Sequence, residues 1–487
     1  MALSKASEFE FPSGMSTLIA FAAYLAVVIA VGLWASRRGS DSDEDFFLGG
    51  RGLGPFAVAL SAVSSGRSAW LVIGATAIAW AQGLPALWLF PGYIAIEALV
   101  FVTLGPRLRK RSAELGAITI PEVLERLSTS GTPSSIPVRK VAGAICVLFL
   151  ITYLSAQLVA GGKTLEAVFD VSGDTWGLCI TAGIVLVYTM LGGYRAVVIT
   201  DVIQALLMLL GILVLPILAV HSIGGFEALG DSLRTQAPGH LEWTNGAVAL
   251  FGALAIGLGS LGNPHILVRH MSLKDPAAAK AAMLWGTVWN VAMAAGALLL
   301  GLAGRVLYPT LESFASSDRE ELYPRIALDL STEYAMPGFL GVLLASLFAA
   351  IMSTCDSQLL VIASSLVRDF RGDSSPEVES KWKSRLVVVL ALVVAVALSF
   401  GASKLVGPFV LFSWAALGAA FGPPLCLLLY GRRVSPLAVV LAMIAGAATV
   451  IVWGQIETLD SLIYELVPGF ALSSLIAWFG SSRAVGS

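Results

Sequence analysis

Leu60-Ser-Ala-Val-Ser-Ser-Gly-Arg-Ser-Ala-Trp70 sits inside a long apolar run that starts near Pro55. Four serines, a glycine and an arginine lie at the depth where a membrane helix is usually all hydrocarbon. Unwound backbone in a bilayer is tolerated only when it is buried in protein or faces a wet cavity. A charge there costs at least a few kcal/mol, so it is paired or lines a pathway. A second interrupted stretch, Gly257-Leu-Gly-Ser-Leu-Gly-Asn-Pro264, follows five apolar runs later. Two interrupted spans in corresponding places point to the binding site of a secondary transporter. Their separation predicts a five-plus-five inverted repeat. The plainer alternative is that the glycines only let helices pack closely, and with 49 glycines in the chain it stays open.

The rest of the composition agrees with a membrane protein. The 487 residues are 57% hydrophobic and 13% charged, where soluble domains are about a quarter charged. A net charge of −2 argues against a nucleic-acid partner. The expected partners are the lipid bilayer and a small-molecule solute. Cys146, Cys179, Cys355 and Cys426 stand singly in apolar runs and read as buried thiols, not disulfides or metal ligands. The run from Thr17 to Ser36 lacks a small-residue cleavage site and is followed by Arg37 and Arg38, so it reads as a retained span.

A span needs about 20 apolar residues. By that measure the chain is predicted to cross thirteen times, from starts near Thr17, Pro55, Leu84, Val141, Thr175, Val197, Ala247, Ala282, Met336, Leu386, Val406, Leu437 and Val467. With the N-terminus outside, 22 of the 30 lysines and arginines fall in inner loops and seven in outer ones, leaving Arg67 within a span. That asymmetry predicts a multi-pass protein of the inner (plasma) membrane, N-terminus out and C-terminus cytoplasmic. The expected organisation is a first span and loop (1–52), a first repeat (53–222), an outer loop (223–245), a second repeat (246–430) and two C-terminal spans (431–487).

Few residues are equipped for chemistry. Arg67 is the basic residue inside a span; Glu97 and Asp356 are the acids most clearly within spans, and Asp201 lies near the inner start of the sixth. In the ninth span, Ala350, Ser353 and Thr354 share a helix face at i, i+3 and i+4. A carbonyl and two hydroxyls suit a hard monovalent cation such as Na⁺. Hydroxyls bonded back to the i−4 carbonyl would give the same pattern.

In sequence order, Phe47-Leu-Gly-Gly-Arg-Gly-Leu-Gly-Pro55, Tyr153 with Val159-Ala-Gly161, Tyr188-Thr-Met-Leu-Gly-Gly193 with Thr200-Asp201, Asn263-Pro-His-Ile266 with Arg269, and Met352-Ser-Thr354 with Gln358-Leu-Leu360 form a specific set. On these motifs the chain resembles the sodium:solute symporter family, most closely its sodium/proline symporters. The resemblance implies an all-α, leucine-transporter-like fold and entry of solute coupled to Na⁺. It implies Na⁺ ligands at Ala350, Ser353 and Thr354, with backbone groups at Ser64 and Arg67. Substrate would contact Ser65, Gly66, Arg67, Ser68, Tyr153, Ile256 and Ser260, and Asp201 would lie on the ion pathway. This chain departs from the proline transporters at two places. Gly66-Arg67 stands where they have Asp-Met, and Ile256 and Ser260 stand where they have tryptophan and tyrosine.

The expected function is Na⁺-coupled symport of proline or a related amino acid or carboxylate, with Asp356 as a partner that would hold Arg67 off the cation site. Two unit charges about 4 Å apart attract by roughly 4 kcal/mol at an effective dielectric of 20. If the guanidinium instead replaces Na⁺ or binds the substrate carboxylate, transport becomes Na⁺-independent or proton-linked. A solute sensor would be expected to carry an appended signalling domain, and the last span runs almost to Ser487. An enzyme is not expected, since His221, His240, His265 and His270 are dispersed.

Overall fold

The computed structural model describes residues 13–36, 42–131, 134–169, 174–190, 193–313, 318–370, 381–401 and 406–483. Among them, nine helices are long and apolar enough to cross a membrane. They are α1 (Gly14–Ala35), α2 (Pro55–Gln82), α3 (Leu84–Glu114), α4 (Val138–Phe169), α6 (Tyr194–Ile223), α8 (Pro276–Leu307), α9 (Gly338–Asp369), α11 (Val406–Leu429) and α12 (Pro436–Gln455). A tenth candidate, α7, is the pair Ala247–Leu261 and Pro264–Ser272, bent by 52°. Three shorter apolar helices, α5 (Thr175–Val187), α10 (Arg385–Gly401) and α13 (Leu466–Phe479), lie where the fifth, tenth and thirteenth runs were expected. Of the basic residues assigned to loops, Lys5, Arg37, Arg38, Arg371 and Lys404 lie outside the described residues.

Burial separates a core from a rim. In α2, 89% of the most apolar window is buried in protein, and in α9 83%, against 28% in α1. A helix enclosed that fully answers its polar groups from other helices rather than from lipid, which is why α2 can carry four serines and an arginine. Exposed Ile19, Leu284, Val393 and Leu475 lie around the outside, the surface hydrocarbon would cover. Cys179 is exposed on α5, so the expectation that all four thiols are buried fails there; it stands on the rim, not in the core.

Small residues do allow close packing in α7, as the plainer reading held. A Cβ on Gly257 would overlap the carbonyl of Gly92 on α3, and one on Gly259 would overlap the Trp414 indole on α11. The same stretch also breaks the helix. Residues Ile256–Leu261 wind as a 3₁₀ turn, Asn263 takes extended backbone, and Pro264 opens the second half. A short antiparallel ladder, β1 (Arg432–Val434) with β2 (Ser481–Arg483), ties the end of α13 to the α11–α12 link.

Candidate functional site

The α2 break is narrower than the sequence implied. Ser64, Ser65 and Gly66 stay helical, and the interruption falls at Ser68, with φ 47° and ψ −171°. A non-glycine residue holds that backbone only when its surroundings impose it. Here the freed amides are answered by side chains. Ser68 Oγ accepts the Trp70 amide at 3.1 Å, and Gln157 Oε1 on α4 accepts the Ala69 amide at 3.1 Å. Tyr153, one helical turn before Gln157, donates its hydroxyl to Ser68 Oγ at 3.3 Å. The Ser64 and Ser65 hydroxyls bond elsewhere, so nothing unwinds the helix before Arg67. Gln157 was not singled out from sequence, although a glutamine four residues from Tyr153 in a span was the signal for it.

On one side, α2 meets the hydroxyl face of α9. Thr354 Oγ1 lies 3.1 Å from the Ala350 carbonyl and 3.1 Å from the Ser65 carbonyl, able to donate to one at a time. Ser353 Oγ donates to the Ala350 carbonyl at 3.3 Å. Back-bonding therefore describes both side chains, Thr354 to the i−4 carbonyl and Ser353 to the i−3 one, and the Thr354 oxygen also bridges the two helices. Ser64 Oγ is turned to the Ser61 carbonyl at 3.2 Å. The Arg67 carbonyl, an expected ion ligand, shares the Trp70 amide with Ser68 Oγ.

Next to this face lies a charged cluster that sequence reading only half found. Asp201 Oδ2 accepts from Ser61 Oγ at 2.5 Å, from Ser65 Oγ at 3.4 Å and from Arg269 Nη2 at 3.1 Å. Arg269 also donates to Ser61 Oγ at 3.1 Å, to Ser65 Oγ at 2.8 Å and to Ser357 Oγ. All of these side chains are buried. Ser65, expected against the substrate, turns its hydroxyl toward α9 and Arg269. Arg269 was quoted in a motif but given no role; a second basic residue at the end of a broken span was the signal. Asp356 lies in the same layer, its Oδ1 accepting from Ser357 Oγ at 3.2 Å. Beside the cluster is a small pocket bordered by Phe47, Ile118, Tyr194, Val268, Ser357 and Leu360.

Arg67 does not pair with Asp356. Its Nη2 lies 2.5 Å from Glu97 Oε2 on α3, and Asn290 Nδ2 on α8 donates to that same oxygen at 2.5 Å. The Tyr93 ring lies under the guanidinium, 3.9 Å from its carbon to the centroid. The reason is helical rotation. Ser65 faces α9, and two residues at about 100° each carry Arg67 to the opposite side of α2. A small pocket opens here, walled by Gly66, Arg67, Trp70, Tyr93, Tyr153, Ile256, Val410, Leu411 and Trp414. Of the expected substrate contacts, Gly66, Arg67, Tyr153 and Ile256 are brought to it; Ser68 reaches it through the Tyr153 hydroxyl, and Ser260 is buried outside its walls. The aromatic side chains on its walls are Trp70, Tyr93, Tyr153 and Trp414. Trp414 is held in place by donating Nε1 to the Ile256 carbonyl at 2.9 Å.

Comparison with known proteins places the chain. Residues 46–446 match the model of the sodium:solute symporter family. The osmoregulated proline transporter OpuE of Bacillus subtilis (strain 168) is 35% identical over 467 residues, covering 94% of this chain and 93% of that protein. A sodium/proline symporter of Staphylococcus aureus (strain JH9) is 32% identical over 479 residues, covering 95% and 91%. A Na⁺-coupled sialic acid symporter, solved in a substrate-bound outward-open state, superimposes with a TM-score of 0.78 over 97% of this chain and all of its own, at 19% identity. MhsT, solved with L-phenylalanine, gives 0.53 over 90% and 98%, at 15% identity. At such identities these structures speak for the fold alone, which is the leucine-transporter-like one. The chain belongs to the sodium:solute symporter family and is a multi-pass membrane carrier, not an enzyme.

Proposed function

We propose that this carrier couples entry of a small solute, proline or a related amino acid or carboxylate, to Na⁺ running down its gradient. The observation that carries the reading is the meeting of α2 and α9 at Thr354, whose hydroxyl lies equally near the Ala350 and Ser65 carbonyls. Oxygen donors from two helices around one point are what a hard monovalent cation requires. Arg67 is withdrawn from that face and neutralised by Glu97, which favours Na⁺ over a resident guanidinium as the charge the site works with. Na⁺ would bind among Ala350, Ser353, Thr354 and the α2 backbone, and solute beyond it in the Arg67–Tyr153 cavity. Asp201 and Arg269 would line the exit toward the pocket beside them. The names of the relatives support both partners: one is a proline transporter and another a sodium/proline symporter. In the cell the protein would sit in the plasma membrane, N-terminus outside and C-terminus cytoplasmic, as the lysine and arginine distribution argues. A thermal-shift screen of the purified protein against amino acids, each in Na⁺ and in K⁺, tests the reading. Stabilisation by proline that requires Na⁺ is expected; equal stabilisation in K⁺ would remove Na⁺ from the scheme.

A further inference from the structure

The solute cavity is rich in donors and poor in acceptors. Arg67, Trp70 and Tyr93 line it, and Arg67 Nε, Trp70 Nε1 and the Tyr93 hydroxyl are all buried without a hydrogen-bond partner; the first two can only donate. Leaving a buried donor unpaired costs about 1–3 kcal/mol, more on a charged group. Two such donors on one cavity therefore mark a place for a ligand that brings acceptors. Most of the remaining wall is apolar, Ile256, Val410 and Leu411 among it, and the Trp414 indole N–H is already given to a carbonyl. Gly66 presents no side chain. Glu97 is not among the walls, and its Oε2 takes both Arg67 and Asn290. A carboxylate offers two acceptor oxygens to this surface, whereas an ammonium brings three donors to walls without an acidic side chain.

Resting on the carrier reading above, we propose that the pocket recognises its solute by the carboxylate alone, held between Arg67 Nε–H and Trp70 Nε1–H. A compact apolar body packs against Ile256, Val410 and Leu411, and the amino group takes no part. The substrate class is small monocarboxylates with a compact apolar body; proline fits as a carboxylate, not as a zwitterion. Because Arg67 is already neutralised by Glu97, the co-bound cation supplies the charge that balances the carboxylate.

Three probes of similar size separate the possibilities by calorimetric titration of the full-length protein in Na⁺: proline, cyclopentanecarboxylate, which lacks the amine, and pyrrolidine, which lacks the carboxylate. Cyclopentanecarboxylate is expected to bind within about threefold of proline, and pyrrolidine at least about a hundredfold more weakly, the range set by hydrogen bonds to a charged group. Trp70→Phe keeps the ring and removes the N–H, so it should weaken both carboxylates by about tenfold while leaving Na⁺ binding without solute unchanged. Cyclopentanecarboxylate binding more than about tenfold weaker than proline would overturn the proposal and assign the amine to an acceptor such as Glu97 Oε1. Pyrrolidine binding less than about a hundredfold weaker than proline, or binding of none of the three, overturns it as well. An unchanged carboxylate affinity in Trp70→Phe removes Trp70 from the site. The coupling reading fails separately: carboxylate affinities in K⁺ equal to those in Na⁺ would sink it and leave the carboxylate rule standing.

Discussion

Arg67 and Glu97 form an ion pair in which both side chains are almost wholly out of contact with solvent or lipid. Removing one member of such a pair strands a buried charge, which costs about 3–5 kcal/mol, whereas replacing both is often close to neutral. Glu97→Ala should therefore lower the unfolding free energy by about that amount, and Arg67→Met with Glu97→Gln should recover most of it. A double-mutant cycle by denaturation in detergent measures the coupling; additive losses would mean the pair is incidental. At Thr354 the expectation concerns function more than stability. Thr354→Ala should raise the Na⁺ concentration for half-maximal uptake, and an unchanged value would take its hydroxyl off the ligand set. Sequence exposed Arg67, Asp201, Ser353 and Thr354 because polar groups in a bilayer need a reason. It could not expose the partners, since pairing depends on how each helix is rotated. Asp356 is nearer in type and family context, yet Glu97 is the group on Arg67's side of α2.

The two broken helices show what spacing can and cannot tell about an element. Gly257-Leu-Gly-Ser-Leu-Gly-Asn-Pro264 reads as an interruption from its glycines and proline, and the chain does bend there. In α2 the cluster of serines blurred the position, because a helix keeps its path when each hydroxyl finds a carbonyl nearby. Only at Ser68 do Gln157 and Tyr153, 85 or more residues away in sequence, supply partners for a different backbone. The glycines of α7 serve close packing as well as bending. Gly257→Ala would force a methyl against the Gly92 carbonyl, and overpacking of that kind costs about 1–3 kcal/mol. A lowered melting temperature is expected, together with slower uptake, because α3 and α7 would be pushed apart at the solute cavity. Wild-type stability in this variant would mean the contact is slack.

At the scale of the whole molecule, ion pairs hold both ends of α4. Near its start, Arg139 bonds Glu122 and lies 3.1 Å from Asp369 of α9, while Arg368 lies 3.1 Å from Glu122. Near its end, Lys163 lies 2.5 Å from Asp318 and 2.8 Å from Glu320. Glu320 in turn accepts the Val406 and Gly407 amides at the head of α11. Alternating access in carriers of this fold needs one end to open while the other stays closed, and these ion pairs close both ends here. The nine long apolar helices among the described residues were legible because hydrocarbon thickness sets a length that every span must reach. The ion pairs were not, since they join helix ends to loops whose approach follows from the finished bundle. The central claim is coupling, and it is tested most directly by uptake of labelled proline into vesicles containing the purified carrier, with Na⁺ outside exchanged for K⁺. The account predicts that uptake collapses in K⁺ and returns with Na⁺; undiminished uptake in K⁺ would contradict it.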